Sequence, residues 1–177
     1  MVKGYNSIAQ YYDSLFIDNH SNIENKEVTR MLKSVRGSVL DIGCGTGLLV
    51  ELIGIQPTDY VGIDPSKMML KKFIEKHPKY KACLHCTPFE RYNQTADNLI
   101  ALFGAASYLN PACLEKMENS SVFLMFYKPG YMPTTYEKTG IYIPFYPYNR
   151  NWLANHFSGY SVLEFNNYLI VTDYDIV

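Results

Sequence analysis

Three glycines alternate along Val39 to Gly47, which reads VLDIGCGTG. Gly43, Gly45 and Gly47 follow a short apolar run that holds one acid, Asp41, and a mostly apolar run, LLVELIGI, comes after them. Glycines where a strand meets a helix let the backbone turn sharply and let another molecule approach without meeting a Cβ. The helix that follows presents free N–H groups and a positive dipole end to a carboxylate or phosphate. Asp64 stands 21 residues beyond Gly43, at the end of the next apolar run. A carboxylate at that place accepts hydrogen bonds from ribose hydroxyls. The two features together point to a cofactor built on adenosine.

The glycine spacing narrows the choice. A dinucleotide fingerprint, G-x-G-x-x-G, needs its third glycine where this chain has Leu48, and Gly47 comes one residue early. Asp41, two residues before the first glycine, fits poorly beside a pyrophosphate and suits a group that carries an amine. S-adenosylmethionine (SAM) has an amino-acid tail and a sulfonium cation, and no phosphate.

The elements that position these residues alternate in type. The segment SNIENKEVTRMLKSVRG from Ser21 reads as a helix opened by a Ser/Asn cap and closed by Gly37. Strands are expected at 38–43, 59–64, 80–86, 98–104 and 121–127, with helices at 48–55 and 65–77 between them and Pro65 in the first turn of the latter. Asn110-Pro111 opens a further short helix. The end of the chain, YSVLEF, Asn166-Asn167, YLIVTDY, reads as an antiparallel hairpin. The expected fold is α/β: a Rossmann-like, doubly wound, mostly parallel seven-stranded sheet closed by that hairpin. One domain spans 1–177, with an N-terminal helical cap (1–36), a cofactor half (37–127) and an acceptor-side segment with the hairpin (128–177).

On these residues the chain is similar to class I SAM-dependent methyltransferases of the small-molecule type. VLDIGCGTG resembles the first motif of that family. VGIDPSKMML (61–70) resembles the second, in which an acid ends strand two and a methionine follows five residues later. YNSIAQYYD (5–13) is similar to the family's Y-D-x-I-A-x-x-Y-D entry, with Asn6 in place of its aspartate. The resemblance implies SAM as cofactor and S-adenosylhomocysteine (SAH) as product. It implies that Asp41, Gly43 and Gly45 line the methionine end, that Cys44 and Gly47 of the same loop also bind the cofactor, and that Asp64 binds the ribose. Pro65 and Met69 flank the adenine, Thr87, Pro88 and Phe89 follow strand three where members often carry an acid, and Phe103 and Gly104 sit near the sulfonium. Tyr5 and Tyr12 close over the cofactor.

Methyl transfer from a sulfonium is an in-line displacement with a neutral leaving group, so orientation supplies most of the rate. A base is needed only where the acceptor must lose a proton. The sequence therefore names no catalytic residue, and Tyr12 and Tyr108 are the candidates because both are expected near the methyl. His20, His77, His85 and His156 read as surface or structural residues.

Charge bears on the acceptor. Lys and Arg number 16 and Asp and Glu 17, a net charge of -1, and no basic run is visible, so no nucleic-acid partner is expected. The stretch after strand four, FGAASYL (103–109), lacks the Asn/Asp-Pro-Pro-Tyr pattern of enzymes that methylate exocyclic amines of bases. A small-molecule acceptor is expected. Eight aromatics between Tyr127 and Trp152, among four prolines, form an acceptor wall, packing at the end of the sheet, or a dimer contact. No apolar run reaches the roughly 18 residues of a membrane span, and no signal peptide opens the chain, so a cytoplasmic monomer or homodimer with reduced cysteines is expected. Asn93-Gln-Thr and Asn119-Ser-Ser then match the glycosylation pattern by chance. Cys83-Leu-His85-Cys86 lies along an expected strand that sends its cysteines to opposite faces, so no metal site is expected. Rival readings are a SAM-binding protein without transferase activity, a nucleotide-dependent oxidoreductase, and a methyltransferase acting on protein or RNA.

Overall fold

A computed structural model describes residues 2–117 and 120–176; Asn119, in the second glycosylation-type triplet, lies outside them. Its centre is a seven-stranded sheet: β1 (Val39–Ile42), β2 (Tyr60–Ile63), β3 (Leu84–His85), β4 (Asn98–Ala101), β5 (Ser121–Tyr127), β6 (Ser161–Phe165) and β7 (Tyr168–Thr172), in the order β3-β2-β1-β4-β5-β7-β6. The first five run parallel, and β7 is antiparallel to both β5 and β6. The winding reverses between β1 and β4, which places the crevice for a ligand at their carboxyl ends. Helices are α1 (Val2–Ile8), α2 (Asn19–Met31), α3 (Leu48–Ile53), α4 (Lys67–Lys76), α5 (Thr134–Thr139) and α6 (Arg150–His156). Among the described residues no helix is long and apolar enough to cross a membrane.

The continuous apolar runs are explained by two-sided burial. Along β5, Val122, Leu124 and Phe126 enter one core with Leu40, Ile42 and Phe157, while Phe123 and Met125 enter the other with Val39, Tyr60 and Phe73. All of these side chains are almost fully buried.

Several element ends differ from expectation, each for a local reason. α2 begins at Asn19 because Asp18, not Ser21, is the cap: its carboxylate accepts the Ser21 N–H at 2.8 Å. The helix ends at Met31, six residues before Gly37. α4 starts at Lys67, capped by the Ser66 hydroxyl, which accepts the Met69 N–H at 3.2 Å; Pro65 therefore stands outside the helix. β3 is reduced to Leu84 and His85, because 78–83 coils into a 3-10 helix. Tyr80 holds that coil, its ring packed edge-on to Tyr60 and its hydroxyl bonded to the Ile55 carbonyl. Cys83 thus sits in a turn, bonded to the Pro57 carbonyl, and not on a strand face. β4 ends at Ala101 rather than 104.

The N-terminal segment is latched over the parallel half. The Asn6 side-chain oxygen accepts from the Ser66 hydroxyl at 2.8 Å and from the Met68 N–H at 3.2 Å. Ile8 and Ala9 bury Met69 beneath them. Asp13 pairs with Lys76 and accepts the Thr46 hydroxyl.

Gly104 follows β4 at φ +87°, and a Cβ there would lie 2.1 Å from the Tyr127 ring. Gly54, which ends α3 at φ +63°, has nothing within 4 Å of its virtual Cβ. Gly54→Ala is expected to cost about 1 kcal/mol for backbone conformation alone, and Gly104→Ala about 3 kcal/mol or more once the clash is added. Urea unfolding of both variants measures the difference; equal losses would contradict the packing described.

Candidate active site

A cavity of about 530 Å³ opens at the carboxyl ends of β1, β2 and β4. Its floor is the glycine loop. The N–H groups of Gly43 and Cys44 both donate to the Ile63 carbonyl, at 2.9 and 3.0 Å, which pins the loop to the end of β2. The Gly45 N–H donates to Asp64 Oδ2 at 3.0 Å, and the Ser66 N–H to Asp64 Oδ1 at 2.7 Å. One carboxylate thereby ties the turn after β1 to the start of α4. Burial pushes its pKa up to about 6, against the opposing pull of those two N–H groups.

Asp41 lies beneath the same loop, 2% exposed, and accepts the Tyr60 hydroxyl at 2.7 Å. Burial raises its pKa to about 7; the Tyr60 hydrogen bond offsets part of that, and the Asp64 charge adds to it. Cys44 is buried, and its thiol is pushed well above the ordinary range by desolvation. That leaves it without thiolate character at neutral pH.

Most of the expected site residues meet around this cavity. Asp41, Gly43, Cys44 and Gly45 line one part and Asp64, Pro65 and Met69 another, with Thr87, Pro88 and Phe89 beside them. Phe103, Tyr5, Tyr12 and Tyr108 line it too. Phe103 adopts φ +44°, an uncommon conformation for a residue with a Cβ, and its N–H points to the Met125 sulfur at 3.4 Å. Tyr5 donates its hydroxyl to that of Tyr108 at 3.0 Å, and its ring is edge-on to both Tyr12 and Tyr108. Burial raises the pKa of all three tyrosines, so they stay protonated.

Two expected glycines stand outside the wall. Gly47 is a packing position: its φ is +98°, and a Cβ would come within 2.9 Å of the Phe73 ring on α4. Gly104 serves the close approach of Tyr127 described above. The aromatics of 127–152 also lie outside. Tyr127 packs against Tyr108, Tyr131, Phe145 and Tyr168, Tyr148 bonds the Leu109 carbonyl, and Trp152 stacks on His156. No described residue beyond Leu109 lines the cavity. The rings that reach it come instead from the N-terminal segment, the turn after β4 and, with Phe89, the coil after β3.

Some wall residues were missed. Thr46 and Leu48 belong to the glycine stretch itself, and Ala105 and Leu109 flank Tyr108. Cys86, Glu90 and Arg91 carry no pattern that marks them; they arrive because the coil after β3 packs against the segment that follows β4, where Glu90 accepts the Asn110 N–H at 3.1 Å. None of the four histidines lines the cavity. His77 bonds Glu51 at 2.9 Å and His20 approaches Glu24 at 3.4 Å. Among the described residues no group of three or more side chains is arranged to hold a metal ion.

Residues 17–113 match the profile of a family described as a methyltransferase domain. The chain belongs to that family. Membership sets aside the oxidoreductase reading. An uncharacterized protein of Methanocaldococcus jannaschii is 32% identical over 108 residues, which are 60% of this chain but only 41% of that relative. Among solved structures, DhpI in complex with SAH superposes with a TM-score of 0.70 at 16% identity, covering 97% of this chain and 93% of the other. Magnesium protoporphyrin IX methyltransferase (ChlM) from Synechocystis, with bound SAH, gives 0.67 at 16% identity over 96% and 94%. The cyclopropane synthase MmaA2 from Mycobacterium tuberculosis gives 0.64 at 12% over 92% and 75%. At such identities the shared property is the fold: a mixed seven-stranded sheet with an antiparallel end.

Both buried acids bind protons more tightly in the folded chain than in the unfolded one, with Asp41 at about 7 and Asp64 at about 6 against 3.8 for an ordinary aspartate. Their contribution to stability is complete below about pH 4 and is lost as pH rises through 6 to 7. Asp41→Asn removes one share. Unfolding free energies of wild type and variant, compared from pH 4.5 to 8, are expected to move in the variant's favour as pH rises. A difference independent of pH would contradict the burial of Asp41.

Proposed function

We propose that the protein binds SAM in this cavity and transfers its methyl group to a small-molecule acceptor. The observation that carries the reading is the Asp64 carboxylate. Each of its oxygens takes one backbone N–H, from Gly45 and Ser66, and each keeps a lone pair for a hydroxyl beyond. That donor requirement fits the paired hydroxyls of a ribose. Family membership and the SAH found in DhpI and ChlM support the same cofactor.

The remaining roles follow from the walls. Pro65, Met69 and Phe89 offer apolar surface for the adenine, and Thr87 and Pro88 offer backbone where other members carry an acid. Asp41, with the backbone of Gly43, Cys44 and Gly45, faces the amino-acid end, where an acid suits an amine. Phe103 and the aromatic faces of Tyr5 and Tyr12 suit a cation. Bound SAM would supply a methyl group on a sulfonium that departs as a neutral thioether. The chain's own work is to orient the acceptor and exclude water. Its protonated tyrosines remove no proton. The balanced charge supports a small molecule rather than a polyanion as acceptor.

Calorimetric titration with SAM, SAH and NAD tests the cofactor. SAM and SAH are expected to bind in the micromolar range, and NAD not to bind. No heat with SAM or SAH, or tighter binding of NAD, would overturn the reading. SAM binding without release of SAH over a broad acceptor screen would leave a binding protein in place of a transferase.

A further inference from the structure

From the corner of the cavity built by Tyr5, Tyr12 and Tyr108, we infer that the acceptor is an uncharged amine, methylated on nitrogen. The inference rests on the SAM reading and goes beyond it by naming the acceptor class.

Three observations carry it. The first is what the corner lacks. Among the described residues that line the cavity, Arg91 is the lone cation, and it stands in the 3-10 turn 89–91 after β3, among the residues assigned to the adenine side. Lys and His are absent from the wall. An anionic acceptor, whether carboxylate or phosphonate, would find no cationic side chain of the protein beside it there, and a buried charge is costly without one.

The second is the absence of a base. The acids in the wall are Asp41, Asp64 and Glu90. In the SAM reading Asp64, which already holds the Gly45 and Ser66 N–H groups, gives its remaining lone pairs to the ribose, Asp41, which holds Tyr60, faces the amino-acid end, and Glu90 on the adenine side accepts from Asn110. The tyrosine hydroxyls stay protonated. An alkyl hydroxyl must lose its proton to attack, and nothing here takes it. A neutral amine attacks with the lone pair it already has.

The third is what the corner offers. Tyr5, Tyr12 and Tyr108 form a contiguous group, with ring centroids 6.2 and 5.8 Å apart. Their faces attract positive charge, and their oxygens accept N–H bonds. In the reaction the amine nitrogen forms a bond to the methyl carbon as the carbon–sulfur bond breaks. The bonding pair leaves with sulfur. The positive charge passes to nitrogen, beside the same rings, and the nitrogen then releases a proton to water.

The test uses shape-matched probes: benzylamine, benzyl alcohol and benzoate, and the cyclohexylmethyl set of the same three groups. Each is titrated calorimetrically into protein saturated with SAH, and each is incubated with SAM and the products read by mass. The amine of each set is expected to bind most tightly and to yield the N-methyl product, at a rate that rises with pH and levels off at the amine's own ionisation. Tyr108→Phe, which keeps the ring and removes the hydroxyl, is expected to weaken amine binding about tenfold while SAH affinity stays within about twofold. Preference for benzoate or the alcohol, methylation on oxygen, or no binding by any probe to SAH-loaded protein would each overturn the amine assignment. Failure of SAM and SAH to bind at all would overturn the cofactor reading instead, so the two are separable.

Discussion

The structure turns on the Asp64 carboxylate and the two backbone N–H groups it holds. A carboxylate 8% exposed is stable only with partners, and Gly45 and Ser66 supply them. The bonds run both ways in consequence. Asp64 is anchored facing the cavity, the glycine loop is fixed against β2, and the start of α4 is held beside it. Ser66 then receives Asn6 of α1, and Thr46 of the loop bonds Asp13. The position of Tyr5 and Tyr12 over the cavity thus follows from a tie made at the end of β2.

The cavity's electrostatics have one direction. Asp41 and Asp64 are both pushed toward their protonated forms by burial, and the Asp64 charge adds to the shift of Asp41. A bound ligand that carries positive charge or donates hydrogen bonds relieves that strain. SAM brings a sulfonium, an ammonium and ribose hydroxyls. The acids, the aromatic corner and the proposed amine acceptor therefore belong to one scheme, in which positive charge is welcome before and after the transfer.

Much of this was legible in the residues. β5 falls on 121–127 as its apolar run requires, and the hairpin turns at Asn166, a residue that tolerates its φ of +47°. Asp41, Gly43, Gly45 and Asp64 meet at one cavity because their placement depends on local backbone, which short motifs encode. What the local sequence does not report depends on tertiary packing. Gly47 and Gly104 look like ligand glycines, yet each makes room for a ring that lies far along the chain, Phe73 and Tyr127. The 3-10 coil that replaces most of β3 is fixed by Tyr80 reaching Ile55, and no local pattern reports that contact. The aromatics of 127–152 have the composition of a binding wall and the contacts of a core, and composition alone does not separate the two.

The central claim is that Asp64 both builds the loop and recognises the ligand. The most direct measurement is calorimetry of SAM on wild type and on Asp64→Ala, with the fold of each checked by circular dichroism. The account predicts a folded variant whose affinity for SAM falls by about a hundredfold, the loss of two charge-assisted hydrogen bonds. A folded variant that binds SAM as tightly as wild type would contradict it.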